Sequence, residues 1–382
     1  MSAAMHLAIA SLLFVATIPG AGPAEPPASS TTAAQVEKLT ADGKADDAVE
    51  KGRAAVAAHP DDVDLRLALA RGLAAQARHV NRQVNVKVSK EDIARGEVAV
   101  PAAQLGDAPV KIDYDSGPFE EAMLHLDFGI KRAPQRQDLR VFQCFLLTDA
   151  GRIERAKGAI TAALTALPKT SALATTMAAY GAERAKRDDP EGAAELMAPV
   201  AAAFPGNASI LVDYGNVLTR LGRKPDAFAT LDRAVKLAPA DVRIVRTKAV
   251  SAMLLRDFKR AQGGFDAAFR LGRGIPDQFA SYAAAYGLDP AGASVMMREL
   301  GTPSPSSDAA VIDLANAFVR AGKAGASSSE AMTLARNLVT SEQYLLAIPV
   351  LDRALKASPA NADAKSLLAK SYRELGCPRL AK

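Results

Sequence analysis

The stretch Val141–Pro168, VFQCFLLTDAGRIERAKGAITAALTALP, decides how this chain folds. An amphipathic run ends at Gly151, the residue type that most readily turns a chain out of a helix. A second run then places Ala156, Ile160, Ala163, Leu164 and Leu167 at helical spacing, and Pro168 stops it because proline cannot continue a helix. Two helices joined by a tight turn are predicted.

The same register recurs. Ala48, Ala122, Ala156, Ala193, Ala227 and Ala347 are each followed twelve residues later by proline, at Pro60, Pro134, Pro168, Pro205, Pro239 and Pro359. Ala261 keeps the phase, with Arg273 in the proline position. Twelve residues before these alanines stand small residues, namely Cys144, Gly181, Gly215, Ala249 and Ala335, and Ala369 follows Ala335 by 34 residues. Two antiparallel helices approach closely only where small side chains occupy the crossing point, and overpacking there costs about 1–3 kcal/mol. Each pair leaves one face unburied, so neighbouring pairs must stack.

Composition agrees with that reading. Hydrophobic residues make up 49% of the 382, but aromatics only 5%, and there is no Trp. Alanine supplies much of the apolar share, which suits many small helix crossings better than one large core. A β-sandwich or barrel is excluded by the scarcity of β-branched runs, and a disulfide framework by the presence of only two cysteines. The net charge of +5 comes from interspersed signs, with no run of five like charges, so no nucleic-acid footprint is expected.

This pattern resembles the tetratricopeptide repeat family. The clearest copy is Ala208–Asp241, with Leu211, Gly215, Leu218, Gly222, Ala227, Leu231, Ala234 and Pro239 in the consensus places. The resemblance implies an all-α, right-handed superhelical solenoid of helical hairpins. Its concave face, lined by first-helix positions, would bind peptide segments or protein surfaces, and the repeat itself would not catalyse. In this sequence those positions are Ser209, Val212, Asn216, Thr219 and Arg220, then Arg243, Arg246, Val250 and Met253. Asn216 offers a donor and an acceptor to a peptide backbone. Arg243 and Arg246, one helical turn apart, suit a carboxylate.

Two departures interrupt the array. Ala48 and Ala122 are separated by 74 residues rather than 34, and the excess contains Val84–Val88 and Val110–Tyr114, which alternate with period two as strands do. Ser89 and Asp92 are placed to cap a short helix through Ile93. A small β-containing insertion is therefore expected at 78–117, within the second repeat, either to dock a partner or to shield an end of the solenoid. Between Arg273 and Ser328 the register loosens. Phe279, Tyr282, Ala283 and Tyr286 mark a first helix, Ala291–Leu300 a shortened second one, and Asp308–Arg320 a further helix.

Leu7–Ile18, LAIASLLFVATI, is too short to span a bilayer but matches a signal-peptide core, although no Lys or Arg precedes it. With Ala24 as the cleavage edge, residues 1–24 read as a signal peptide, 25–34 as a flexible linker and 35–376 as the solenoid. An exported protein, periplasmic or secreted, with no integral membrane segment after signal removal is expected.

The sequence carries little that could do chemistry. His59, His79 and His125 form no His-x-x-x-His arrangement, and no nucleophile elbow or phosphate loop occurs. Cys144 sits at a packing position, and no disulfide to Cys377 is expected. No catalytic residue, metal site or cofactor is assigned. The leading reading is a non-enzymatic scaffold for protein or peptide partners, in cell-envelope assembly. The alternative is an accessory subunit or enzyme with its active element in 78–117, in which Asp113, Tyr114 and Asp115 would converge with His79 or His125 around a pocket.

Overall fold

A computed structural model describes residues 28–82, 110–272, 275–293 and 309–381. The chain divides into two compact units between Ala133 and Pro134. The first holds α1 (Ala28–Ala41), α2 (Ala45–Ala58), α3 (Val63–Ala77), β1 (Arg78–Arg82), β2 (Val110–Tyr114) and α4 (Ser116–Arg132). Residues 1–24, read as a signal, lie outside the described residues. Helix α1 starts at Ala28, so most of the stretch expected as a linker at 25–34 is helical. Burial of Ala33 and Val36 accounts for this, since α1 packs on α2 and α3 and that packing outweighs the weak helix propensity of its Ser/Thr-rich start.

Asp62 caps α3, accepting from the amides of Asp64 and Leu65. Leu65, Leu69 and Leu73 are buried, and α3 packs closely on α4, whose Phe119, Met123 and Leu126 are buried as well. The predicted insertion leaves the loop between these two helices. β1 continues directly from α3, pairs antiparallel with β2 in a register from Arg78↔Tyr114 to Arg82↔Val110, and β2 leads into α4. The amide of Asp115 closes the base of this ribbon on the carbonyl of Ala77 at 2.9 Å. Val110–Tyr114 is the strand the alternation predicts, and Arg78–Arg82 is its partner. Val84–Val88 and the cap at Ser89–Asp92 lie outside the described residues.

His125 on α4 sits inside this unit. Its Nδ1 accepts from Arg66 Nη1 at 3.0 Å, and the same guanidinium covers the Phe128 ring at 3.7 Å. Burial, then the Arg66 charge, holds the His125 imidazole below its ordinary pKa of 6.5. The folded state thus favours neutral His125, and its contribution is complete above the unfolded pKa and lost as pH falls from about 6.5 through the folded value. The melting temperature of the wild type should therefore fall more steeply between pH 7.5 and 5.5 than that of His125→Gln. Parallel slopes in circular-dichroism melts would remove His125 as the cause.

The second unit holds α5 (Gln137–Asp149), α6 (Ile153–Ala166), α7 (Ser171–Lys186), α8 (Pro190–Ala203), α9 (Ala208–Arg220), α10 (Lys224–Leu237), α11 (Val242–Leu254), α12 (Phe258–Gly272), α13 (Ile275–Leu288), α14 (Ala309–Ala324), α15 (Ser329–Thr340), α16 (Tyr344–Ala357), α17 (Ala362–Glu374) and a short 3-10 turn, Pro378–Ala381. The hairpins α5–α6, α7–α8, α9–α10, α11–α12 and α15–α16 pack as pairs, and each contains one of the small crossing residues. Thr170, Asp189, Asn207, Asp241, Ser328 and Asn361 cap the helices that follow them. Gly222, at φ +71°, turns α9 into α10. Phe279, Tyr282, Ala283 and Tyr286 are buried in α13, as the sequence predicts; 294–300 of the expected second helix lies outside the described residues.

The chain folds back on itself in this unit, which the repeat register does not predict. Helix α16 packs on α11 and α13 as well as on its hairpin partner α15. Phe258, Phe265, Tyr286, Leu351 and Tyr372 accordingly share one core. Cys144 and Cys377 are both buried and free. Burial pushes the Cys144 thiol up to about 12 and that of Cys377 up to about 11.

Candidate protein-binding face

The residues singled out for binding lie on first helices of the second unit, where α5, α7, α9 and α11 touch in succession. Two properties of the sequence place them. Small residues such as Gly181, Gly215 and Ala249 turn one side of each helix into its hairpin, and the N-cap sets where each helix begins. The neighbouring positions are left on the outer side of the layer.

Along the first three turns of each helix this side is open. Ser209 and Asn216 are exposed and Val212 is half-buried on α9, while Arg243 and Arg246 are exposed and Val250 is half-buried on α11. The two arginines do not form a joint clamp. Arg243 donates to its own N-cap, Asp241, through Nη2 at 3.0 Å and holds that carboxyl below the usual carboxylate range. Arg246 donates through Nε to Asp277 at 2.5 Å, on α13. Each guanidinium already holds a carboxylate of this chain, because an N-cap aspartate and a helix N-terminus lie within reach of a flexible arginine.

At the last turn the same side is closed. Thr219 is buried and donates to the carbonyl of Gly215, and Met253 is fully buried. Arg220 is spent on two backbone carbonyls, that of Ala185 at 3.0 Å and that of Gly376 at 2.8 Å. Asp149, whose side chain is 3% exposed, is held by Arg187 at 2.6 Å. Tyr372 donates to the carbonyl of Leu254 and accepts from Arg256, which also reaches Asp352 at 3.2 Å. Arg353 donates to the carbonyls of Gly287 and Leu288. The carbonyls that end a helix need outside donors, and here Arg187, Arg220, Arg353 and Tyr372, each from a later repeat, supply them. Thr219, Arg220 and Met253 therefore do not join Asn216 on an open surface.

The structure adds an aromatic end to the face that the sequence reading did not name. Phe145 lies 6.1 Å from Phe142 and 6.4 Å from Tyr180, measured between ring centroids, and Tyr180 donates its hydroxyl to the carbonyl of Val141 at 3.0 Å. All four residues are half-buried. A signal was present: Phe145 follows Cys144 as Asn216 follows Gly215 and Val250 follows Ala249.

The chemistry expected of the insertion converges in part. His79 Nε2 lies 2.8 Å from Asp115 Oδ2, and Asp113 stands opposite His79 in the ribbon. All three side chains are well exposed. Tyr114 instead packs edge-on against Phe119, and His125 is held by Arg66. Among the described residues no three His, Cys, Asp or Glu side chains gather as a metal site, and no helix is long and apolar enough to cross a membrane.

Residues 185–250 and 332–377 each match a family model described as tetratricopeptide repeat. Over those two stretches the sequence is similar to tetratricopeptide repeats. The first match runs from the end of α7 to Val250 and takes in the α9 and α11 part of the face, and the second covers α16 and α17. No curated protein matches the sequence. Among solved structures, MamA of AMB-1 is 22% identical and aligned over 42% of this chain and 86% of its own, with a TM-score of 0.28. Pseudomonas aeruginosa pilF is 12% identical over 65% of this chain and 94% of its own, with a TM-score of 0.31. YrrB, described as a TPR protein with an unusual peptide-binding site, is 17% identical over 63% of this chain and 95% of its own, with a TM-score of 0.30.

Proposed function

We propose that this protein is an exported, non-enzymatic scaffold that holds a protein or peptide segment against the open turns of α5, α7, α9 and α11, in the assembly of the cell envelope. One observation carries the binding site: Phe145, Tyr180, Val212, Asn216 and Val250 lie on successive first helices with apolar surface at one end and an amide in the middle. Half-buried aromatic rings supply contact area at low entropic cost, and Asn216 can pair with a peptide group through both its donor and its acceptor. Export rests on the apolar run Leu7–Ile18.

The test is site-specific photocrosslinking in the native host, with the probe at Asn216 and, as a control, at exposed Glu154 on the second helix α6. Adducts are expected from Asn216 alone, and Asn216→Lys should weaken the captured interaction about tenfold, the size of a moderate interface contact. The melting temperature should not move, because Asn216 is exposed. Equal adducts from both positions, or none, would sink the proposal. Export is tested separately, by whether the mature chain purified from the envelope begins after Ala24.

A second reading, an active element in the insertion, has the His79–Asp115 contact in its favour. It requires a turnover that His79→Gln abolishes while partner capture through Asn216 is untouched.

A further inference from the structure

Charge is distributed unevenly over the open turns. On α7, Glu183 holds Arg187 at 3.3 Å and Lys186 at 3.8 Å, and on α11 Arg243 and Arg246 hold Asp241 and Asp277. Asp213 on α9 is the exception. It stands one place after Val212 and one helical turn before Asn216, so it belongs to the same open side. Its side chain is exposed, and among the described residues no cation and no hydrogen-bond donor meets its carboxylate. The surrounding protein takes away part of its hydration, which raises the carboxyl above the usual carboxylate range. An anion that has lost water without gaining a partner gains more from an incoming cation than a fully hydrated one does.

The neighbouring helices extend this point into a track. Each of α5, α7, α9 and α11 touches the next. The repeat sets Ala179, Asp213 and Thr247 in one row and Ala182, Asn216 and Val250 in another, and Phe142 and Phe145 take the same two places around Cys144 on α5. Ala179 is exposed and Ala182 half-buried. With only methyl groups there, α7 forms low ground between the aromatic pair on α5 and the Asp213–Asn216 pair on α9. We propose that the segment held on this face is an extended peptide with a lysine or arginine that pairs with Asp213 and an aromatic or large apolar side chain that packs on Phe142 and Phe145. The proposal rests on the binding face proposed above and adds the chemistry of its partner. Helices in contact lie about 8–10 Å apart, so α5 to α9 is about 16–20 Å. At about 3.3 Å per residue, an extended chain covers that distance with the two side chains about five or six residues apart. Arg243 and Arg246 oppose the incoming cation little, because each is already paired with a carboxylate.

The probe is a random dodecapeptide library displayed on phage and selected on the full chain, followed by fluorescence anisotropy with the selected peptides made synthetically. Peptides that Ala179→Trp displaces bind on this track, because a bulky ring at that exposed alanine fills the low ground whatever the peptide's charge. Those peptides should carry a basic residue about five or six positions from an aromatic or large apolar one. Asp213→Asn should weaken them about tenfold and Asp213→Glu much less, and salt should weaken binding to the wild type more than binding to Asp213→Asn. Asp213→Lys should reverse the preference, binding the same peptides once glutamate replaces their basic residue. Peptides displaced by Ala179→Trp that carry no basic residue, or that Asp213→Asn leaves unchanged, would overturn this proposal and leave the binding face standing. If Ala179→Trp displaces none of the selected peptides, the face itself fails and the partner chemistry with it.

Discussion

Replacing Gly215 with leucine is expected to destabilise the second unit by about 3 kcal/mol, the upper part of the range for overpacking a tight contact. A Cβ at Gly215 would sit 2.6 Å from Leu231 Cγ and 2.7 Å from its Cδ2. Leu231 is fully buried and cannot yield without moving α10. Gly181 poses the same problem more severely, since a Cβ there would meet Met197 Cγ at 2.2 Å and the Ala193 carbonyl at 3.2 Å. Gly158 supplies the control. It lies inside α6 with nothing within 4 Å of an added Cβ, so Gly158→Ala should stabilise by about 0.5–1 kcal/mol through helix propensity alone. Urea denaturation followed by circular dichroism separates the two. If Gly215→Leu costs no more than Gly158→Leu, the close crossings do not hold the hairpins together.

Arg187→Ala is expected to cost about 3 kcal/mol, because it takes from a buried carboxylate a cation bonded to it at 2.6 Å. Asp149 ends α5 with its side chain 3% exposed; Arg187, which follows α7, donates to its Oδ1 at 2.6 Å and to its backbone carbonyl at 3.4 Å. Much of the loss is the desolvation of the Asp149 carboxylate, which Arg187 offsets in the wild type. The double replacement Arg187→Met with Asp149→Leu should therefore recover most of the loss. Additive losses in that double-mutant cycle would show that the two residues act separately.

The hairpins were legible because their determinants are local. Helix ends follow from caps and from Gly151, Gly222 and the prolines, and the crossing points from one small residue per first helix, so the 34-residue period carries the array without any knowledge of distant contacts. Phe145 was legible in the same way, one place after Cys144. The ribbon was half legible: alternation marks Val110–Tyr114, but Arg-His-Val-Asn-Arg at β1 has no comparable pattern and becomes a strand only because β2 is there to pair with it. The linker assignment at 25–34 failed for a related reason, since helix α1 is held by the packing of Ala33 and Val36 and not by its own propensity.

Arg220, Arg243 and Arg246 mark where sequence reasoning stopped. Their spacing placed them correctly on first helices, yet what each guanidinium holds depends on residues from two to 156 positions away. The sequence by itself determined the repeat, its phase and the side of each helix that turns inward, since these follow from side-chain size and backbone preference within one hairpin. Only the tertiary structure decided which part of the outer side stays open. Closing the last turn requires carbonyls of α7, α11 and α13 to meet donors from later repeats, and that meeting follows from how far the stacked hairpins turn, a sum of small angles that no single repeat encodes.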